Sequence, residues 1–354
     1  MKKDITILLT GVGGPGAPGM IKCYRNNGER NVRMVGVDMN ENAAGKGLVD
    51  AFYSVPRARS EGFIPRLLEI CEKEKVDVVV PIVTKELESF SNSVDQFAAL
   101  GTQVSVMRKD LLYAVNDKGR LLDAMREKGL PTAKYYMVET SDELFSAIEA
   151  LGYPKKAVCI KATDGNGSRG IRMLDTPEND FKRFFSDKPD SHYVSYEHLK
   201  TIFTGREIPR LMVMELLPGT EYSIDAIADE TGPLAMVCRR GLKVVSSNQV
   251  ECVVEKNEAV EALCRDVIRE FGLVGQFGFD LKCDANEVPY VLEINPRLTA
   301  GIVACAAAGC NLPYLEVVRL LGEELPDYQI HYGTLMTRHW EEDFFTSDGT
   351  KMNW

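Results

Sequence analysis

Four polar residues in the C-terminal third of the chain have the types and spacing that metal-assisted chemistry requires. Asp280 lies in an alternating apolar and polar run, and Glu293, Asn295 and Arg297 follow a turn at every second position. This period places Glu293 and Asn295 on one face of a strand, and an antiparallel partner can bring Asp280 beside them. Two carboxylates and an amide oxygen suit Mg²⁺, which prefers carboxylates plus substrate phosphates. Arg297 can bind an anion with two parallel hydrogen bonds.

The stretch from residue 275 to 297 is predicted to be a β-hairpin that presents these side chains together. A cation site beside a guanidinium can hold a nucleoside triphosphate next to an acidic substrate. The alternative is a solvated strand face with a surface ion pair. The combination favours a site, because Asn295 and Pro296 end the strand where ligands collect in open sheets.

The composition narrows the class of protein. A chain of 354 residues is long enough for about two or three domains, each with its own core. With 42 basic and 52 acidic residues the net charge is −10, and no run is dense in lysine or arginine, which argues against nucleic acid as a partner. The apolar run before Gly11 is too short for a signal peptide or a membrane span, so a cytoplasmic protein without a membrane partner is predicted.

Cysteine and histidine usage argues against disulfides and zinc. The nine cysteines include no CxxC pair, and Cys23, Cys159 and Cys238 lie in apolar runs, as small core residues do. The four histidines show no HxxH or HExxH spacing. Reduced structural thiols and the absence of a zinc site are therefore expected.

The first 112 residues are predicted to form an α/β domain with a doubly wound parallel sheet. Apolar runs of buried-strand type alternate with segments of helical spacing in a βαβαβαβ pattern. The loops 11–16 and 81–86 follow strands and are candidate substrate-binding edges. Glu86 can equally be an ordinary acid at a helix start.

The first of these loops has the form of a dinucleotide fingerprint. Gly11, Gly13 and Gly16 give GxGxxG, and Asp38 follows the next strand, which is the pattern of a nicotinamide-dependent oxidoreductase. Prolines within and just after the loop weaken that alternative, because proline supplies no backbone donor to a pyrophosphate. The preferred interpretation is a glycine-rich turn that lets a helix pack closely on the sheet.

A second informative stretch begins at Lys161, which ends a predicted strand. A loop of small residues with Gly165, Gly167 and Gly170 follows, and then another strand, which predicts a β-hairpin. The backbone N–H groups of such a tip can close over phosphates, while Lys161 supplies a point charge. A long solvated hairpin is the alternative.

Other candidate contacts come from softer signals. A strand, a Pro-Gly turn and a second strand span residues 211–225, where backbone groups can meet an adenine edge. Within this span Glu215 and Glu221 can accept hydrogen bonds from amino or ribose groups. Arg239 and Arg240 can reach a phosphate or a substrate carboxylate, or can form an exposed strand end.

Helical spacing predicts several longer helices. Lys118 lies early in one of them, where a lysine is most often solvated. It becomes a candidate contact only in combination with the motifs that follow it in the chain. The predicted helices cover residues 63–75, 85–100, 112–128, 141–151, 178–185, 258–271, 299–308 and 313–321.

Taken in order, these motifs resemble the ATP-grasp superfamily. Lys118, Lys161 with its glycine-rich loop, the segment 214–225, Asp280 and the segment 293–297 occur in the order and spacing of that family. The likeness is strongest to the large-chain halves of carbamoyl-phosphate synthetase and to related carboxylate–amine ligases. It covers nearly the whole chain, because those proteins also begin with an α/β domain.

The resemblance implies a fold and a domain plan. A Rossmann-like domain at residues 1–112 would precede an ATP-grasp domain at residues 113–330, and residues 331–354 would form a tail. The ATP-grasp domain would consist of two α+β subdomains with the nucleotide between them, and residues from about 130 to 205 would act as a lid.

The resemblance also implies roles for individual residues. ATP would be contacted by several side chains along the chain, and Mg²⁺ or Mn²⁺ by the oxygen ligands near its end. Lys118 and Lys161 would contact the nucleotide, and the loop with Gly165, Gly167 and Gly170 would cover its phosphates. Glu215 and Leu217 would bind the adenine, and Glu221 would bind the ribose. The metal would be bound by Asp280, Glu293 and Asn295. Arg297 and Lys161 would be catalytic, and Arg240 and Arg297 would meet substrate.

The implied reaction activates a carboxylate as an acyl-phosphate and joins it to an amine, with small-molecule substrates for both. Only one ATP-grasp unit and no glutaminase segment are present, and the loop at 165–170 is poorer in glycine than in synthetase halves. The single ATP-grasp unit and the missing glutaminase segment argue against carbamoyl-phosphate synthesis by this chain alone. A carbamoyl-phosphate-synthetase-like enzyme, another carboxylate-activating enzyme with a non-amine acceptor, and a nucleotide-binding protein without catalysis stay open, as does a homodimer.

Overall fold

The computed structural model describes residues 2–163, 170–176, 192–245, 248–339, 341–347 and 350–352. The chain divides into two compact units. Unit 1 comprises Met1–Tyr113, Glu221–Asp280 and Ile294–Trp354, and unit 2 comprises Ala114–Thr220 and Leu281–Glu293. The division predicted from the sequence, with boundaries after residues 112 and 330 and a lid at about 130–205, stays a prediction.

The N-terminal part of unit 1 is a five-stranded parallel sheet with helices on both faces. The strand order is β3-β2-β1-β4-β5, and every pair is parallel. Its elements are β1 (Ile5–Thr10), α1 (Ala17–Arg25), β2 (Val32–Asp38), β3 (Ala51–Ser54), α2 (Phe63–Glu74), β4 (Val78–Val80), α3 (Leu87–Ser91), α4 (Val94–Ala98), β5 (Gln103–Val104) and α5 (Lys109–Val115).

Alternation along β1 explains why this sheet is covered on both sides. Ile7 and Leu9 belong to one buried apolar cluster and Leu8 to another, because successive side chains of a strand point to opposite faces. The first cluster includes residues of α1, and the second includes Phe63 of α2 and Phe90 of α3. The predicted doubly wound parallel sheet is confirmed.

Two helices predicted as single segments are interrupted. The segment 85–100 is a 3₁₀ turn followed by α3 and α4, with the break at Asn92 and Ser93. The segment 112–128 is broken before Lys118, where the Asp117 side chain accepts a hydrogen bond from the backbone N–H of Arg120 and caps a new helix. Asn, Ser and Asp favour caps over helix interiors because their side chains compete for backbone hydrogen bonds.

Unit 2 contains a four-stranded antiparallel sheet with the order β6-β9-β7-β8. Its predicted helix at 141–151 begins with a capping box formed by Thr140 and Glu143. The predicted helix at 178–185 lies outside the described residues. The elements are α6 (Lys118–Glu127), β6 (Tyr135–Val138), α7 (Ser141–Ala150), β7 (Val158–Ala162), β8 (Ile171–Leu174), α8 (Tyr196–Phe203) and β9 (Leu211–Glu215).

The remaining strands form a six-stranded sheet with the order β14-β13-β10-β11-β12-β15. The predicted helices at 299–308 and 313–321 are present, and the first is shortened to a single turn of small residues. The elements are β10 (Glu221–Asp229), β11 (Gly232–Val245), β12 (Asn248–Val254), α9 (Glu258–Phe271), β13 (Gly275–Cys283), β14 (Pro289–Asn295), α10 (Val303–Ala307), α11 (Leu312–Leu320) and β15 (Leu335–Thr337).

The segment between β9 and β10 connects two different sheets. Its Pro-Gly pair therefore does not close a hairpin. The backbone N–H of Gly219 donates to the carbonyl of Cys283 at 2.9 Å, and a Cβ at Gly219 would lie 2.3 Å from the carbonyl oxygen of Asp284. Only glycine fits this close approach of two backbone segments.

The predicted structural thiols are confirmed. All nine cysteines are free and buried. Burial raises the pKa of the Cys23 thiol to about 12, which keeps it protonated and unreactive at neutral pH. No helix within the described residues combines the length and the apolar character needed to cross a membrane.

Candidate functional site

The hairpin of β13 and β14 is present and brings three of its four predicted residues together in unit 1. The side-chain amide of Asn295 donates to Oδ2 of Asp280 at 2.9 Å. Arg297, just beyond β14, donates from Nη2 to Oδ1 of Asn295 at 3.3 Å and from Nε to Oγ1 of Thr84 at 3.0 Å. Asp280, Asn295 and Arg297 therefore form one hydrogen-bonded group.

The fourth residue, Glu293, pairs with a lysine in unit 2. Its Oε2 lies 2.7 Å from Nζ of Lys118, and the Lys118 side chain is only 12% exposed. Lys118 is the first residue of α6, so the Asp117 cap that starts this helix also places the lysine. The sequence singled out Lys118 only through the family resemblance, and the structure gives it a partner among the predicted metal ligands.

The side-chain types of the predicted metal ligands suit a hard divalent cation. Asp280, Glu293 and Asn295 offer carboxylate and amide oxygens, which are the ligands that Mg²⁺ prefers. Within the part of the chain that the structure describes, no group of three or more His, Cys, Asp or Glu side chains could hold a metal. A magnesium ion held by two carboxylates and an amide needs further oxygens from phosphates or water, as is usual at nucleotide sites.

Lys161 lies in β7, which pairs with β8 as the predicted hairpin requires. The side chain is 8% exposed, and no ion pair among the described residues includes it. Past the strand, the carbonyl of Gly170 accepts from the backbone N–H of Ala162 at 3.0 Å, which closes the described base of the hairpin. The predicted phosphate-covering residues Gly165 and Gly167 lie outside the described residues.

The predicted adenine-binding segment is largely occupied by its own sheet. Strand β9 lies between β6 and β7, so its backbone groups belong to hydrogen-bonded ladders on both sides. Oε1 of Glu215 accepts from the backbone N–H of Lys134 at 2.8 Å. Leu217 is buried just past the strand, and Glu221 begins β10. Just after Glu215, the backbone N–H of Leu216 donates to the carbonyl of Ala157 at 3.2 Å, and an adenine contact by this segment stays a prediction.

The paired arginines have two different environments. Arg240 donates from Nε to Oε2 of Glu255 at 2.9 Å on a partly exposed surface, so a substrate role for it stays a prediction. Arg239 is 1% exposed and donates to the fully buried carboxylate of Asp225 from Nε at 3.0 Å and from Nη2 at 2.6 Å. The exposed strand end considered for this pair is wrong for Arg239.

Sequence reasoning missed the polar cluster around Arg239. Asp225 also accepts from Thr299 at 2.6 Å, and Gln249 and Ser223 continue the network. Burial, the largest single effect, lowers the pKa of the Arg239 guanidinium, but the charge and hydrogen bond of Asp225 together with the neighbouring Cys305 and Cys252 outweigh it, and the net shift is upward. An available signal was that Asp225 lies inside an apolar strand run and Arg239 directly follows one, since charges that become buried are usually paired.

At the C-terminal edge of the N-terminal sheet, Asp38 and Glu86 are engaged by their own loops. Oδ2 of Asp38 accepts from the backbone N–H of Gly13 at 2.9 Å, and Oδ1 accepts from Asn40 at 2.9 Å. This supports the glycine-rich turn over a dinucleotide fingerprint, because the acid expected on a ribose instead holds the loop. Glu86 is buried and accepts from Oγ1 of Thr10 at 2.5 Å.

The buried Glu86 predicts a pH dependence of stability. Burial raises the pKa of its carboxyl from 4.5 to about 7, and the Asp38 charge adds to this, whereas the Thr10 hydrogen bond opposes it. The folded state therefore keeps the proton to higher pH than the unfolded chain does. This contribution is fully present below pH 4.5 and is lost as the pH rises through 7, by on the order of 3 kcal/mol at most.

Glu86→Gln is expected to reduce the loss of unfolding free energy between pH 5 and 8, measured by urea denaturation, because an amide carries no titratable charge there. Glu88→Gln is the matched control, since Glu88 is 64% exposed and lies 3.5 Å from Arg59. Equal pH dependence in wild type and Glu86→Gln would show that Glu86 does not titrate in this range.

Two family models match the chain in separate regions. A model described as "ATP-grasp in the biosynthetic pathway with Ter operon" matches residues 207–342. A model described as "PylC-like, N-terminal domain" matches residues 7–105. The two matches cover the N-terminal parallel sheet and the segment that contains the predicted metal ligands.

Curated relatives include formate-dependent phosphoribosylglycinamide formyltransferases. The protein of Wolinella succinogenes is 27% identical over 302 residues, which is 83% of this chain and 70% of the relative. The protein of Methanococcus maripaludis is 24% identical over 82% of this chain and 69% of its own length.

Solved structures share the fold. An ADP complex of N5-carboxyaminoimidazole ribonucleotide synthetase matches with a TM-score of 0.65 and 17% identity, over 93% of this chain and 79% of that one. The biotin carboxylase domain of 2-oxoglutarate carboxylase from Hydrogenobacter thermophilus, with MgADP and bicarbonate, matches with a TM-score of 0.67 and 16% identity, over 94% of this chain and 74% of that one.

Proposed function

Because the chain belongs to the ATP-grasp superfamily, we propose that it is a ligase that activates a carboxylate as an acyl-phosphate with MgATP and joins it to an amine. ADP and phosphate are the other products. The curated relatives depend on formate, which is a carboxylate, and two of the structural neighbours were solved with ADP. The acid and the amine of this chain are to be identified by the experiment described below.

The side chains of this site suit a reaction that needs charge neutralisation and alignment. Phosphoryl transfer gives the protein little covalent chemistry to perform, so positioning and electrostatic stabilisation dominate. Asp280, Glu293 and Asn295 would hold Mg²⁺, which supplies charge neutralisation at the phosphates when bound. Arg297 would stabilise the transferring phosphoryl group or the acyl-phosphate, and its hydrogen bond to Asn295 sets the guanidinium beside that residue.

The nucleotide contacts of the proposal are Lys118, Lys161, Glu215, Leu217 and Glu221. Lys161 would bind phosphate together with Gly165, Gly167 and Gly170 of its hairpin. No carboxylate among the described residues forms an ion pair with the buried ammonium of Lys161, and an unpaired buried ammonium is costly, so an anionic ligand would stabilise it. Leu217 and Glu215 would contact adenine, and Glu221 would contact ribose.

The observation that carries the proposal is the hydrogen bond between two predicted metal ligands of the hairpin: the side-chain amide of Asn295 donates to Oδ2 of Asp280 at 2.9 Å. Glu293 precedes Asn295 by two positions in the same strand, as the sequence analysis required of a shared face. A surface ion pair would not need an amide in this group, whereas a hard-cation site uses it as an oxygen ligand.

The proposal is tested by thermal denaturation of the full chain with MgATP and a panel of carboxylic acids and amines. MgATP is expected to raise the Tm, because a ligand at about 100 times its Kd stabilises the folded state by about 2.7 kcal/mol. Acids that raise the Tm further are then incubated with ATP and amines, and mass spectrometry is expected to detect a dehydrated conjugate. A Tm that does not respond to MgATP would contradict the assignment.

The substrates would be small molecules, as the names of the curated relatives indicate for those proteins. An amine acceptor is proposed over thiols and other nucleophiles, and the same conjugate assay with thiols in the panel separates them. A cytoplasmic location and a homodimer stay predictions.

A further inference from the structure

A row of polar side chains crosses the six-stranded sheet. Five neighbouring strands contribute one residue each, and all five residues belong to unit 1. From β12 to β14 they are Gln249, Arg239, Ser223, Asp280 and Asn295. The row therefore leads from the interior of the sheet to the predicted metal ligands.

The interior end of the row is buried and hydrogen-bonded. Arg239, Gln249 and Ser223 are all buried, and Arg239 is anchored by two hydrogen bonds to the carboxylate of Asp225. A Cβ at Gly301 would lie 2.1 Å from Nη1 of Arg239, so the guanidinium packs directly on that backbone. Arg239 is therefore held by contacts on more than one side of its guanidinium.

The guanidinium sets the direction of the hydrogen bonds that lead from Gln249 to Asp280. Arginine can only donate, so the side-chain oxygen Oε1 of Gln249 must face Nη1 of Arg239. The amide nitrogen of Gln249 is then left to donate to Oγ of Ser223 at 3.1 Å. The hydroxyl proton of Ser223 must therefore point onward, and it donates to Oδ1 of Asp280 at 2.8 Å.

Asp280 receives a donor on each carboxylate oxygen. Ser223 donates to Oδ1, and Asn295 donates to Oδ2. A carboxylate has about four lone-pair sites, so two such donors fix its plane and leave lone pairs for a cation. The side chain is thus oriented in advance for metal binding.

We propose that Arg239, Gln249 and Ser223 are positioning residues that hold Asp280 in the orientation in which it ligates a divalent cation. This inference rests on the proposed function, which makes Asp280 a ligand. Hydrogen-bonded partners of metal ligands typically contribute about 10–100-fold to metal affinity or activity. Ser223 is the link that can be removed with the least change in volume.

The test measures Mn²⁺ binding by the full chain with a non-hydrolysable ATP analogue, from the EPR signal of free Mn²⁺. Ser223→Ala is expected to weaken Mn²⁺ binding by about 10–100-fold, and Ser223→Thr, which keeps the hydroxyl, by much less. The Tm shift caused by the analogue in EDTA should be the same in wild type and Ser223→Ala. Ser91→Ala is the matched control, because Ser91 donates instead to the carbonyl of Met107 at 3.0 Å.

Wild-type Mn²⁺ affinity in folded Ser223→Ala would overturn the proposal. If that variant does not fold, Ser223→Cys decides in the same assay, because a thiol is a weak donor of similar size. Asp280→Asn separates this inference from the proposed function. Loss of Mn²⁺ binding in Asp280→Asn but not in the serine variant refutes only the positioning role, whereas wild-type binding in Asp280→Asn refutes the metal site itself.

Discussion

Glu293→Gln is expected to lower ATP turnover by about 10²–10³-fold, the usual cost of removing one preorganised electrostatic contact from a phosphoryl- or acyl-transfer site. The amide keeps the size of the side chain but loses the charge that a divalent cation requires. It also loses the ionic partner of Lys118, whose Nζ lies 2.7 Å from Glu293. Two predicted functions of the site therefore depend on this one carboxylate.

The measurement is ADP release with a substrate pair found by the thermal screen, at saturating MgATP. Glu149→Gln serves as the control, because Glu149 lies exposed on α7. This variant is expected to hydrolyse ATP at the wild-type rate. Lys118→Met should also lower turnover while leaving Glu293 charged, so comparing the two separates loss of the carboxylate from loss of the ion pair. Near wild-type ADP release from Glu293→Gln would remove Glu293 from the set of metal ligands.

Asp225→Asn is expected to reduce the free energy of unfolding by about 3–5 kcal/mol, because it leaves the Arg239 charge buried without its counter-ion. Both side chains are essentially inaccessible, with 0% exposure for Asp225 and 1% for Arg239. Thr299 and Cys305 also donate to this carboxylate, at 2.6 Å and 3.5 Å, so several elements lose a contact at once. Urea denaturation with linear extrapolation measures the change.

Two comparisons make this expectation specific. The double variant Asp225→Leu with Arg239→Met removes both charges, and it should cost less than Asp225→Asn, since a buried pair replaced by apolar residues is often nearly neutral. Arg240→Met breaks the neighbouring surface pair with Glu255 and should change stability by about 0–1 kcal/mol. If Asp225→Asn were as stable as the wild type, the buried pair would not be a stabilising anchor.

Local patterns were sufficient for the hairpin and for the parallel sheet. Alternation from Gly275 onward has one consistent solution, because shifting the register by one residue would bury Asp280 and expose Phe277 and Phe279. The apolar runs of β1 and β2 match strands that are covered on both faces. In both features, the apolar or polar character of each side chain is sufficient to predict whether it is buried.

The parts that were missed depend on residues far apart in the chain. Asp225 and Arg239 are 14 positions apart, and Thr299 lies 74 positions beyond Asp225, so no short window shows that they meet. The Lys118–Glu293 ion pair likewise joins distant segments. The helix breaks at Asn92 and Asp117 were readable from capping residues, but the apolar spacing on either side of each break outweighed that signal.

The interleaved order of the two units has a consequence for dissecting the protein. Unit 2 consists of residues 114–220 and 281–293, and residues 221–280 between these two segments belong to unit 1. A gene fragment that ends at residue 220 would lack the strand Pro289–Asn295, and a deletion of residues 114–220 would remove Lys118, the ionic partner of Glu293. No single cut yields either unit whole, so the contribution of each is accessible through point substitution or circular permutation rather than truncation.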